Sequence, residues 1–130
     1  MSAPVGIVLV SHSADLASGL HQLVRQIGSD EVPIGTAGGT DDGRIGTSYD
    51  VIHEAIRHAD RGGGVVVLPD LGSSVLTART VLEDHPRSDV LIVDAPFVEG
   101  AVAAVVTAAS GGDLEAVAKA AQEARHVSKL

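Results

Sequence analysis

Short runs of β-branched residues alternate along this chain with segments whose apolar residues recur at the helical period, and that alternation limits the possible folds more than any other feature. The clearest run is Val65 to Leu68, apolar without a break and closed by Pro69 and Asp70. Such a run fits a strand covered on both faces, which points to a parallel sheet between two helix layers, with this strand at its centre. Val5 to Val10 and Val90 to Val93 repeat the pattern, and Val32 to Ala37 is a weaker version of it.

Helical segments fill the intervals. The first begins near Ala14, carries Leu16, Leu20, Leu23 and Ile27 on one face, and stops at Gly28. A second starts near Ser48 with Ile52, Ala55, Ile56 and Ala59 inward, and a third has Val75, Ala78 and Leu82 on one face and ends before Pro86. The fourth bears Val98, Ala101, Val102, Val105, Val106 and Ala109, and a fifth follows Gly111-Gly112 from Asp113 onward. The expected fold is α/β: a doubly wound, mostly parallel, four- to five-stranded sheet flanked by helices. With 130 residues, 45% of them hydrophobic, a single domain spanning residues 1–130 is expected.

Composition excludes several classes of function. The net charge of −8 has the wrong sign for following a nucleic-acid backbone, and Tyr49 and Phe97 are too few to stack bases. The absence of cysteine removes disulfides, thiolate nucleophiles and cysteine-based zinc sites. Ile7 to Val10 is too short for a signal peptide or a membrane span, so no membrane insertion and a cytoplasmic location are expected. His53 and His58 are five apart, not the four of a zinc-protease helix, and no metal site is expected. Neither a dinucleotide fingerprint, nor a P-loop, nor a nucleophile elbow occurs.

In a doubly wound sheet, ligands bind beyond the carboxyl ends of the strands. The loops to inspect therefore carry Ser11-His12-Ser13, Gly38 to Thr47, and Asp70 to Ser74. His12 stands between the first strand and the first helix, where helix amides and dipole favour an anion. An ordinary histidine, with a pKa of about 6.5, offers a neutral nucleophilic nitrogen near neutral pH. Asp70 ends the neighbouring strand and is placed to accept a hydrogen bond from one ring nitrogen of His12, fixing which nitrogen attacks. Ser11, Ser13, Gly72, Ser73 and Ser74 can offer donors to a phosphoryl group, and Arg44, Gly46 and Thr47 form a loop suited to a phosphate or a docking partner.

Four motifs occur in order: Val10-Ser11-His12-Ser13 with Leu16, Gly19 and Leu20; Asp41-Asp42 followed by Ile45-Gly46-Thr47; Asp70-Leu71-Gly72-Ser73; and Ala95-Pro96-Phe97-Val98-Glu99-Gly100. From about Gly6 to Gly112 the chain resembles the DhaM family, the phosphotransfer subunits of bacterial dihydroxyacetone kinases. The resemblance implies a mannose-type enzyme IIA fold, commonly a homodimer, with His12 phosphorylated on its tele nitrogen by the phosphocarrier HPr. The implied acceptor is ADP held in the DhaL subunit, whose ATP phosphorylates dihydroxyacetone on DhaK. On that basis the nucleotide is the partner's, and no cofactor belongs to this chain. The nearest alternative is an enzyme IIA that passes phosphate to the IIB protein of a mannose- or fructose-type sugar transporter. Those proteins usually carry Thr-His-Gly where this chain has Ser11-His12-Ser13, and Gly-Gly-Ser where it has Leu71-Gly72-Ser73. A flavin carrier, the remaining competitor, would want more aromatic rings than Tyr49 and Phe97.

Overall fold

A computed structural model describes residues 3–130. Four strands, β1 (Gly6–Ser11), β2 (Ile34–Gly38), β3 (Val65–Pro69) and β4 (Val90–Ile92), form one sheet. Five helices accompany them: α1 (Ala14–Ile27), α2 (Tyr49–Ala59), α3 (Gly72–Asp84), α4 (Phe97–Ala109) and α5 (Leu114–Glu123). Neighbours in the sheet run β2-β1-β3-β4, all parallel, with Ile7 opposite Ile34 on one side and Val66 on the other.

The two central strands are buried along their whole length. Their side chains alternate between faces, so two cores form. Ile7, Leu9, Val66 and Leu68 meet Leu20 and Val24 of α1, together with Ala101, Ala104 and Val105 of α4 and Val117 and Ala121 of α5. On the opposite face, Val8, Val10, Val65 and Val67 meet Ile52, Ala55 and Ile56 of α2 and Ala78 and Val81 of α3. Because α2 lies very close to the sheet, β1 needs a glycine there. A Cβ added to Gly6 would stand 2.1 Å from the Ala59 carbonyl oxygen.

Three details differ from expectation. Strand β2 starts at Ile34 because Pro33 has no amide to enter the ladder; its carbonyl accepts from Ile7 N at 2.9 Å instead. In α1 the buried row is Ala17, Leu20 and Val24, whereas Leu16, Leu23 and Ile27 are 46%, 44% and 50% exposed. Two rows share Leu20, and packing against the sheet and α4 buries the one with the smaller residues. Helix α3 likewise buries Ser74, Ala78 and Val81, a face turned by one residue from Val75 and Leu82.

Candidate active site

Strands β2 and β3 flank β1, so the chain leaves β1 to one side and later returns to the other. The carboxyl ends of β1 and β3 consequently open a crevice at the point where the winding reverses. His12 follows β1 and Asp70 follows β3; Asp70 N donates to Val10 O at 2.9 Å, which extends the ladder up to the site.

The Asp70 carboxylate is the hub. Its Oδ1 accepts from His12 Nδ1 at 3.0 Å, Ser74 Oγ at 2.7 Å and Leu71 N at 2.7 Å. Its Oδ2 accepts from Ser11 Oγ at 2.9 Å and His12 N at 3.1 Å. Burial pushes the Asp70 carboxyl up, but the hydrogen bonds from Ser74, the His12 amide, the His12 ring and Ser11 outweigh it and hold the group down at about 2. Asp70 is therefore ionised, and an ionised carboxylate only accepts. Nδ1 of His12 must carry the proton, which in the neutral ring leaves the lone pair on Nε2.

Nε2 meets the Ser73 hydroxyl at 2.5 Å, on the exposed side of the site. The His12 side chain is 19% exposed, enough to be reached while its other edge is gripped. Helix α3 begins beside it at Gly72 with no side-chain cap on Leu71 and no acidic residue in its first turn. First-turn amides without intrahelical partners and the positive end of the helix dipole favour an anion here.

The residues expected to bind phosphoryl separate into three groups. Gly72 and Ser73 are exposed at the mouth of α3. Ser11 is not: it is fully buried, donates to Asp70 and accepts from Ser13 N at 3.0 Å, so it supports the carboxylate and does not face a ligand. Ser74 is buried as well, because its position falls on the sheet-facing row of α3. Ser13 caps α1, its Oγ accepting from Leu16 N at 3.2 Å.

The 38–47 loop also departs from expectation. Arg44 is 83% exposed and pairs with Asp42 at 2.9 Å. Gly46 and Thr47 turn inward and are committed to this protein's own frame: Gly46 N donates to His12 O at 2.9 Å, and Thr47 Oγ1 is 2.8 Å from Thr77 Oγ1 on α3. Gly46 has φ of +144°, a conformation that favours glycine. The sequence did not reveal this brace, nor the contact of Ser74 with the ring. For Ser74 the available signal was its position one helical turn after Asp70.

The EIIA-man family, described as the PTS system fructose IIA component, matches residues 6–118. The chain belongs to this family. A phosphoryl donor subunit DhaM of PEP-dependent dihydroxyacetone kinase 1 from Listeria innocua is 43% identical over 103 residues, covering 79% of this chain and 81% of that protein. A DhaM phosphotransferase subunit from Lactococcus lactis is 34% identical, covering 86% of this chain and 89% of its own. The Escherichia coli K12 subunit is 41% identical over 87% of this chain, which spans only 25% of that longer protein. A crystal structure of a protein of unknown function superposes with a TM-score of 0.81 at 35% identity, covering 95% of both chains. Among the described residues no helix is long and apolar enough to cross a membrane, and no group of three or more His, Asp or Glu side chains is arranged to hold a metal.

Proposed function

We propose that this chain is the phosphohistidine carrier of a PEP-dependent dihydroxyacetone kinase, a phosphotransferase subunit that takes a phosphoryl group from HPr onto Nε2 of His12 and gives it to ADP bound in DhaL. The observation that carries the reading is the Nδ1 edge of His12, held by an ionised Asp70 so that the Nε2 lone pair faces outward beside the uncapped end of α3. The DhaM relatives support the choice of acceptor.

In the first step the Nε2 lone pair attacks phosphorus and the donor's ring nitrogen leaves with its bonding electrons. Nδ1 keeps its proton, donated to Asp70. In the second step a β-phosphate oxygen of ADP attacks the same phosphorus, the Nε2–P bond breaks, and the ring departs as neutral imidazole. An unprotonated Nδ1 would make the leaving group an imidazolate, which is far more basic. The Ser73 hydroxyl, which donates to Nε2 in the resting protein, lies where phosphorus must bond and therefore swings aside to a phosphoryl oxygen. Amides of Gly72 and Ser73, with the Ser13 hydroxyl, supply further donors.

This assignment includes a cytoplasmic location and no nucleotide bound by this chain itself. A homodimer is part of it too, supported by the exposed apolar row of Leu16, Leu23 and Ile27. The test supplies phosphoenolpyruvate, enzyme I and HPr, maps acid-labile phosphate, then offers either ADP-loaded DhaL or a sugar-transporter IIB protein. Label on His12, lost in His12→Ala and discharged by DhaL, is the expected result. Label retained in His12→Ala refutes the site; discharge by IIB alone refutes the acceptor.

A further inference from the structure

We propose that Ser74 is a positioning residue for this transfer, its buried hydroxyl sharing the Nδ1 proton of His12 with Asp70 and so securing the tautomer that leaves Nε2 free. The inference rests on His12 being the phosphorylated residue.

A serine hydroxyl has one proton and two acceptor lone pairs. Ser74 Oγ lies 2.7 Å from Asp70 Oδ1, and because that oxygen only accepts, the Ser74 proton is committed to it. Toward His12 Nδ1, 3.1 Å away, Ser74 can then only accept. Nδ1 thus faces two acceptors, Asp70 Oδ1 and Ser74 Oγ, and its proton is forked between them.

The opposite tautomer meets a double penalty. A bare Nδ1 would oppose the lone pairs of Asp70 Oδ1, and Ser74 could relieve it only by turning its proton away from the carboxylate. Ser74 has no solvent to compensate for that change, being 0% exposed. Without Ser74, only the Asp70 contact would separate the productive ring from one whose Nε2 carries the proton and has no lone pair for phosphorus. The same fork keeps Nδ1 protonated while Nε2 is phosphorylated, so the ring can leave as neutral imidazole. Ser11 makes an informative contrast: it donates to Oδ2, the oxygen that does not face Nδ1.

The test is Ser74→Ala, which removes one oxygen and adds no atom. Ring nitrogen NMR of the 15N-labelled, unphosphorylated protein, assigned by difference with His12→Ala, should show the Nδ1–H form losing population and exchanging its proton with solvent faster. The rate constant for phosphoryl acceptance from HPr should fall about tenfold, the effect of losing one hydrogen bond in a charged network. KM for HPr should stay constant, since a buried hydroxyl cannot touch a partner. Ser74→Cys, whose somewhat larger thiol offers only a weak donor and acceptor, should shift the ring spectrum in the same direction. An unchanged ring spectrum in both variants, or an unchanged rate constant in Ser74→Ala, overturns the proposal. So does a loss of stability and rate with the wild-type ring spectrum retained, which would make Ser74 a packing residue only. Phosphate mapped to a residue other than His12 would instead refute the carrier assignment, while the tautomer measurement would still stand.

Discussion

Replacing Asp70 with Asn keeps the shape of the site and changes only what it can accept. Five donors converge on the carboxylate: His12 Nδ1, Ser74 Oγ and Leu71 N on one oxygen, Ser11 Oγ and His12 N on the other. An amide has one oxygen for them. If it faces the ring, its NH2 group opposes the His12 amide and the Ser11 hydroxyl; if it flips, the NH2 group donates to Nδ1 and drives the proton onto Nε2. The first orientation leaves a part-buried donor unmatched, at about 1–3 kcal/mol of stability, and the second removes the nucleophile. Losing the charge also weakens the grip on Nδ1–H, since hydrogen bonds to charged groups contribute about 1.5–3 kcal/mol. Against about 1 kcal/mol for a neutral bond the loss is about 0.5–2 kcal/mol, which at about 1.4 kcal/mol per decade is roughly a 2- to 30-fold loss in phosphoryl acceptance. The assay is the initial rate of acid-labile labelling from phosphorylated HPr, run beside urea denaturation. A folded Asp70→Asn protein that accepts phosphate at the wild-type rate would show that the carboxylate does not orient the ring.

Three other expectations follow from the same geometry. The Asp70 carboxyl sits at about 2 in the folded chain against an ordinary value of 3.8. Its ionised form therefore stabilises the fold fully above about pH 4, and the contribution disappears as pH falls toward 2; urea midpoints between pH 5 and 2 should fall more steeply for wild type than for Asp70→Asn. Gly6→Ala forces a Cβ to within 2.1 Å of the Ala59 carbonyl oxygen. It should cost about 1–3 kcal/mol or more by urea denaturation, while Gly19→Ala, whose Cβ would meet nothing within 4 Å, should not. Leu71 is 61% exposed at the mouth of a cavity of about 480 Å³ beside Asp70. Leu71→Ala should raise KM for HPr about tenfold, the effect of one apolar side chain lost from an interface, and leave the His12 ring spectrum unchanged. An unaltered KM would remove Leu71 from the docking surface.

The sequence by itself determined the layer architecture, the parallel central strand and the edge where chemistry belongs. These depend on local physics: a short, valine-rich apolar run without alternation, closed by a proline, fits a strand buried on both faces, and a histidine directly after such a strand stands at the sheet's carboxyl edge. Asp70 was legible for the same reason, since it ends the adjacent run. Tertiary structure decided what each neighbouring hydroxyl does. Ser11, Ser13, Ser73 and Ser74 are chemically identical in a sequence, yet burial assigns Ser11 and Ser74 to the carboxylate, helix geometry assigns Ser13 to a cap, and exposure leaves Ser73 on Nε2. The inward row of α1 was undecided for a related reason, because two rows sharing Leu20 both satisfy the helical period and only contact with the sheet and α4 chooses between them. Gly46 closing on the His12 carbonyl joins residues 34 apart, and no periodicity extends over such a distance.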